Sequence, residues 1–331
     1  MRRIYPSYCL IFILLFVHQK ASATISERPD VQQFIQEMVA EHEFDVEELT
    51  LIFNEAKFSE AIVKAISRPA EAKPWYKYRP IFLTEDRIKL GVKFLKENEA
   101  TLLRAEQIYG VPVEIIVAII GVETRYGKHA GNYKVVNALS TLAFNYPKRS
   151  KFFRSELKHF FLMTREQLMD PLVVKGSYAG AMGIPQFISS SFRNFAIDFD
   201  DDKVIDIWEN SADAIGSVGN YFKEHGWKAG QAVASPAQVK NDKYRAVLTK
   251  SLKPHMDTTQ LEGYGISSIG LPEKKEALKF LEYELKESSE FWLGFDNFYV
   301  ITRYNHSALY AMAVFQLSQA IRTEYDAKYQ Q

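Results

Sequence analysis

The stretch "VPVEIIVAIIGVETRYGKHAG", residues 111–131, constrains the fold more than any other part of the chain. Pro112 and Gly127 bracket it as a helix, since proline suits a first helical turn and glycine the residues past a last one. Between them the run is apolar almost without interruption until Glu123. Such a helix belongs in a core, where a carboxylate is costly unless paired, hydrogen-bonded or neutralised. Glu123 is therefore either half of a structural ion pair, with Arg125 nearby as a base, or a working acid. Position alone favours the ion pair, because such pairs also perturb carboxylates. Yet the negative end of the helix dipole and the apolar surroundings both favour the protonated carboxyl. A glutamate kept protonated at a helix end suits general-acid catalysis.

The same helical period runs through most of the chain. It is present in "DVQQFIQEMVAEHEF", in "DVEELTLIFNEAKF" with Asp45 as cap, and in "SEAIVKAIS". "TEDRIKLGVKFLKENEATLLRAEQIYG" reads as one long amphipathic helix between a Thr84 cap and a Gly110 stop. "SKFFRSELKHFFLMTREQL" and "SADAIGSVGNYFKEHG" are further helices, whereas the proline-punctuated "RPAEAKPWYKYRP" reads as an extended connector. After Trp227 the texture changes. "QAVASPAQV", "YRAVLTK", "LEGYGISSIG", "KFLEYEL" and "FWLGFDNFYVITRYN" read as short strands between turn residues. "SALYAMAVFQLSQAI" then returns to an apolar helix. The fold class is mainly α (α+β). Its divisions are a leader (1–23), an N-terminal helical region (24–104), a core (105–231), a small β-containing insert (232–303) and a C-terminal helix returning to the core (304–331).

In the leader, Arg2 and Arg3 precede the apolar run "YCLIFILLFV", and "ASA" at 21–23 supplies small residues for cleavage. That is the pattern of a secretory signal, too short for a comfortable membrane span. Cys9, the only cysteine, precedes the apolar core and is badly placed for lipid attachment. The mature chain goes to an oxidising compartment without a disulfide framework, and is long enough to bury a core without one. Residues 1–23 carry three basic side chains and no acidic one, so a formal charge of 0 becomes −3 without them. Nothing in that balance favours nucleic acid. The expectation is a soluble periplasmic protein with no stable membrane span.

Two further stretches carry chemistry. "GSYAGAMGIPQF", residues 176–187, leaves little bulk around its backbone, so a ligand or another segment can come close. Ser177 and Gln186 supply hydrogen-bonding groups there; a loop kept small for helix packing is the equal alternative. In "DFDDDKVIDIWE", Asp198, Asp200, Asp202, Asp206 and Glu209 fall at positions 1, 3, 5, 9 and 12 of a calcium loop, with the Val204 carbonyl at position 7. Lys203 stands where that loop wants glycine; an acidic, solvated turn is the alternative. Trp75, Tyr76, Tyr78, Tyr304 and Tyr310 are aromatics suited to sugar faces. The seven histidines form no HExxH pair, and no G-x-S-x-G elbow is present.

Together "GVETRYG", "LSTLAFNYPKRSKFF", "GSYAGAMGIPQF", the Asp198 loop, "DAIGSVGNYFKEHGW" and "YVITRYNHSALYAMAV" resemble the lytic murein transglycosylase B family. These are periplasmic enzymes that cut the glycan strands of bacterial peptidoglycan, and the resemblance runs over roughly residues 30–323. It implies a lysozyme-like helical core with an additional helical region and a small β domain. It also implies Glu123 as the single acid/base at the bond between N-acetylmuramic acid and N-acetylglucosamine. The product would be a 1,6-anhydromuramoyl end, with the substrate's acetamido group assisting in place of a second carboxylate. Carried over by motif, Ser177, Gln186 and Phe187 contact substrate near the acid. Tyr78, Arg149, Tyr221, Tyr304, Asn305 and Tyr310 line the glycan groove. Asp198, Asp200, Asp202 and the Val204 carbonyl match a calcium site that Asp213, rather than Glu209, closes. No cofactor is implied for the chemistry, only a structural calcium ion. The implied partners are glycan strands and other cell-wall enzymes. Phe152 replaces a common tyrosine, and Lys203 the loop glycine. A lysozyme-like hydrolase with the same acid and a non-catalytic peptidoglycan-binding protein are the rival readings.

Overall fold

The computed structural model describes residues 24–67, 73–269, 271 and 276–329. The leader read at 1–23 lies outside them. Between Asn54 and Glu55 the chain divides into two compact units. In the first, α1 (Pro29–His42) and α2 (Val46–Glu55) pack through Phe34 and Phe53, edge to face at 6.0 Å. Asp45 caps α2 as its sequence suggests, one carboxylate oxygen accepting from the Glu47 and Glu48 amides.

The second unit begins with α3 (Glu60–Ile66) and α4 (Trp75–Phe82), followed by α5 (Glu85–Glu97), α6 (Glu99–Tyr109) and α7 (Val113–Thr124). The stretch read as an extended connector is thus helical from Trp75. Trp75 and Tyr78, three apart, are both buried, and that burial outweighs Pro80 in the last turn. The long helix read over 84–110 is two. Asn98 ends α5, donating from both its amide and its side chain to the Phe94 carbonyl, while its Oδ1 accepts from Ser211. Thr84 and Gly110 remain the outer boundaries, as a side-chain cap and a left-handed stop.

Helix α7 is the centre of this unit. Every residue from Ile115 to Gly121 is buried, and α5, α6 and α11 (Ser211–Glu224) pack around it. Between them lie β1 (Tyr133–Lys134), α8 (Val135–Asn145), α9 (Ser150–Glu166), β2 (Lys175–Gly176) and α10 (Ser189–Phe195). Strands β1 and β2 form a two-stranded antiparallel ladder.

The β part is a five-stranded antiparallel sheet of β3 (Ala234–Val239), β4 (Met256–Asp257), β5 (Ile266–Ser268), β6 (Ala277–Glu284) and β7 (Ser289–Gly294), in the order β4-β6-β7-β3-β5. Leu278, Phe280, Leu293 and Tyr244 share its core. Two stretches read as strands differ: residues 242–247 are a 3-10 turn, and Asp296–Tyr304 is a helix, α12. Phe298, Ile301 and Thr302 are buried there at helical spacing, which overrides the β preference of "FYVIT". α13 (Ala308–Tyr329) then packs on α7, α5 and α4, the expected return to the core. The sheet is joined to the helices by the Tyr283 hydroxyl donating to the Ala308 carbonyl (3.0 Å) and the Trp75 indole donating to Glu290 (2.7 Å). Among the described residues no single helix is long and apolar enough to cross a membrane.

Candidate active site

Glu123 lies one residue before the end of α7 and is half-buried. Its partner is Tyr310, whose hydroxyl donates to Oε1 at 2.5 Å. Arg125 pairs with Asp86 instead, which removes the ion-pair reading. Burial pushes the Glu123 carboxyl up to about 7, with the Tyr310 hydrogen bond pulling modestly the other way. No second carboxylate is among the groups acting on it. Around it the tyrosines stay neutral. Burial first, and the Glu123 charge second, hold the hydroxyls of Tyr304 and Tyr310 well above the ordinary tyrosine range.

A clamp that the sequence did not announce holds the acid in place. The chain leaves α7 through three left-handed residues, Arg125 (φ 52°), Tyr126 (φ 62°) and Gly127 (φ 83°). The two non-glycine positions cost about 1–2 kcal/mol each. Asp86 and Arg87, in the first turn of α5, offset that cost. Asp86 takes the Arg125 guanidinium, Arg87 donates to the Gly121 carbonyl (2.5 Å), and the Tyr126 hydroxyl donates to the Arg87 carbonyl (2.9 Å). Tyr126 lies where a Cβ on Gly91 or Gly121 would come within 2.5–2.6 Å of its hydroxyl oxygen. Two glycines inside helical patterns were the available signal of that close approach.

The small-residue loop, residues 176–187, is tied to the acid's helix by the Thr124 hydroxyl, which donates to the Ile184 carbonyl (2.8 Å). Its glycines serve packing: a Cβ on Gly176 would lie 2.3 Å from the Ala181 oxygen, and one on Gly183 2.5 Å from the Ile207 oxygen. The Ser177 hydroxyl accepts from the Ala181 amide. Gln186, in a left-handed conformation, donates from Nε2 to the Ala130 and Gly183 carbonyls (both 3.0 Å). Phe187 is buried and joins Tyr221 and Tyr304 in an aromatic layer, with ring centres 4.8–6.0 Å apart. The Tyr304 hydroxyl donates to the Pro185 carbonyl and that of Tyr221 to the Arg303 carbonyl, both at 2.6 Å.

The residues named in sequence thus fall into two sets. Tyr310 donates to Glu123, while Tyr304, donating to Pro185, feels the Glu123 charge, and Tyr78 acts electrostatically on Tyr310. Tyr78, Phe187, Tyr221 and Tyr310 are all buried. Asn305 follows the end of α12, one residue from Tyr304. Arg149 is exposed and stacked 4.3 Å over Phe152.

In the acidic loop, carboxylate oxygens of Asp198, Asp200 and Asp202 come within 4.8 Å of one another. Asp198 accepts from the Asp202 and Lys203 amides, and Asp202 from that of Val204. Lys203 takes the left-handed turn (φ 73°) that glycine would take freely. Asp213 is fully buried, accepting from the Phe199 and Asp206 amides (both 2.7 Å). Burial raises its carboxyl, and the Asp198 and Asp200 charges add to that. Asp206 also caps the Glu209 amide. An all-oxygen, anionic donor set of this kind fits a hard divalent cation.

Residues 26–319 match the family described as the transglycosylase SLT domain. The chain is 42% identical over 306 residues to membrane-bound lytic murein transglycosylase B of Escherichia coli K12, covering 89% of this chain and 83% of that protein. The structure of catenated lytic transglycosylase SltB1 from Pseudomonas aeruginosa is similar at TM-score 0.86 and 46% identity, over 90% of this chain and 98% of that one. The Escherichia coli lytic transglycosylase Slt35 in complex with calcium is similar at TM-score 0.82 and 42% identity, over 91% of this chain and 95% of that one.

Proposed function

The chain belongs to the transglycosylase SLT domain family, and from that premise we propose that it cleaves peptidoglycan glycan strands without water. Glu123 protonates the glycosidic oxygen between N-acetylmuramic acid and N-acetylglucosamine, and the C1–O bond breaks as the acetamido oxygen of the same sugar closes on C1. The C6 hydroxyl then displaces that oxygen at C1 and returns its proton to the Glu123 carboxylate. A 1,6-anhydromuramoyl end results, and the acid is regenerated. One observation carries this reading: the Glu123 carboxyl, raised to about 7, has a single hydroxyl donor and no second carboxylate acting on it. No carboxylate of the described residues is paired with Glu123, so this reading gives the second carboxylate's role to the substrate.

Tyr310 steadies the carboxylate formed at the first step, and the Asp86–Arg87 clamp fixes the turn that aims it. Gln186 keeps Oε1 as an acceptor for a sugar hydroxyl, Ser177 keeps its hydroxyl proton as a donor, and Asn305 offers an amide. Phe187, Tyr78 and Tyr221 shape the wall, and Arg149 offers a charge further out. Asp198, Asp200, Asp202, the Val204 carbonyl and Asp213 would hold a calcium ion, which ties the loop to α11 and takes no part in the chemistry. Action on murein puts the protein in the periplasm, consistent with the leader. Mass spectrometry of a glycan digest tests the reading. Ends lighter by one water are expected, and hydrated reducing ends would instead make the protein a hydrolase.

A further inference from the structure

The two faces of the five-stranded sheet make different contacts. One carries Leu278, Phe280 and Leu293 into the sheet's own core. On the other, the register of β6 and β7 sets Tyr283 opposite Glu290 and Leu281 opposite Trp292. Both pairs reach helices of the candidate active site. The Glu290 carboxylate accepts from the Trp75 indole of α4 (2.7 Å), and the Tyr283 hydroxyl donates to the Ala308 carbonyl at the start of α13 (3.0 Å). The Tyr283 ring also packs on Trp75, with centres 5.0 Å apart, and Trp292 meets Phe315 of α13 edge-on at 6.1 Å.

Helix α4 also carries Tyr78, stacked on Trp75 at 6.3 Å, and α13 carries Tyr310, which donates to Glu123. Ala308 and Phe315, seven residues apart, share one side of α13. Tyr310 follows Ala308 by two residues and so points about 200° away around the helix. Sheet and acid therefore lie on opposite sides of α13. Its first turn is held from within by the Ser307 hydroxyl, which accepts from the Tyr310 amide (3.3 Å). Apolar contact alone would join sheet to helix without fixing direction, whereas hydrogen bonds are directional. Here both members of one cross-strand pair make them, one to each helix. Tyr304, whose hydroxyl feels the Glu123 charge, is tied to the Pro185 carbonyl instead. We propose that Tyr283 and Glu290 are positioning residues for the reaction: they brace α13 and α4 so that the Tyr310 hydroxyl meets Glu123. The proposal rests on Glu123 being the acid.

The test is a carbon NMR titration of protein labelled at the Glu side-chain carboxyls, alongside kcat and KM on glycan strands. The Glu123 signal is assigned by its loss in Glu123→Gln. Tyr283→Phe keeps the ring and removes the hydroxyl. The Tyr310 bond holds the Glu123 carboxyl down, so loosening it should move that titration up. The value of kcat should fall about threefold, the scale of one lost hydrogen bond, with KM unchanged. In the Tyr310→Phe background, which has no such bond to loosen, Tyr283→Phe should add nothing to either readout. Glu290→Leu leaves the Trp75 N–H without its acceptor and should act as Tyr283→Phe does. Glu290→Gln keeps an acceptor and should restore both readouts. A Tyr283→Phe protein that melts lower yet titrates and turns over as wild type would overturn the proposal. Effects that add in full to those of Tyr310→Phe would overturn it too. The titration needs no turnover, so hydrated reducing ends in a digest would count against the transglycosylase reading alone.

Discussion

Glu123 is half-buried and Asp213 fully buried, and burial raises both carboxyls, yet their hydrogen bonds differ. Asp213 has an amide hydrogen bond on each oxygen, from Phe199 and Asp206, so it staples a loop to the first turn of α11. Glu123 has one hydroxyl donor, Tyr310, on one oxygen. Two main-chain donors pull against the rise that burial causes and fix the carboxylate in one geometry. One side-chain donor leaves room for a proton. Hydrogen-bond count, more than burial, distinguishes Asp213 from the proposed acid, Glu123.

The sharpest way to break this contrast is to neutralise both. Glu123→Gln removes the proton donor and should lower kcat by at least a thousandfold, within the range a general acid contributes of about 10²–10⁴. Asp213→Asn should leave the kcat of the folded fraction within a few-fold of wild type. Comparable losses in anhydro-end release from both variants would mean that Asp213, too, acts at the reacting bond.

Stability should move in the reverse sense. The ordinary Glu carboxyl value is 4.5 and Glu123 is raised to about 7. Below pH 4.5 both folded and unfolded chains hold the proton, and burial is tolerated. As pH rises toward 7 the unfolded chain releases the proton while the fold retains it, so stability falls. Above 7 the full difference, about 3 kcal/mol, is lost. Glu123→Gln should therefore stabilise the protein by about that much more at pH 8 than at pH 4. Urea unfolding at the two pH values measures it. A gain that does not change with pH would show that the carboxyl is solvated.

These two carboxylates also mark how far the sequence could be read. Helices α7, α9 and α11 were legible because their apolar period is local, and so were the Thr84, Asp45 and Gly110 boundaries. The oddness of Glu123 and the register of the Asp198 loop were legible for the same reason. What depended on distant partners was not. The α4 helix is held by Trp75 and Tyr78, and Trp75 finds Tyr283 and Glu290 more than two hundred positions away. The break at Asn98 finds Ser211, and the clamp on the acid comes from Asp86 and Arg87. In α12, aromatic and β-branched residues suggest a strand until packing against α13 decides otherwise.

On the Asp213 side, Asp213→Asn puts an NH₂ against one of two buried amides and should cost about 2 kcal/mol, the penalty of an unsatisfied buried donor. A bound cation would offset the crowding of Asp198, Asp200 and Asp213. Calcium should thus raise the wild-type melting temperature, and chelator should reverse the gain. The Asp213→Asn variant should gain less. A melting temperature indifferent to calcium would leave the loop a staple held by hydrogen bonds alone.

The smallest effect sharpens the Glu123 side. Tyr310 donates to the carboxylate and so holds its pKa below what burial alone would set. Tyr310→Phe removes that donor while keeping the ring that fills the core. The bond to the carboxylate exceeds the bond to the protonated carboxyl by about 1 kcal/mol, so the alkaline limb of the kcat profile should move up by less than one pH unit. The rate on the acid side should fall less than tenfold, because the proton remains available and only the carboxylate formed after its transfer loses support. A limb that moves down would mean that Tyr310 supports the protonated form instead. An unmoved limb would mean that the group titrating in kcat is not Glu123.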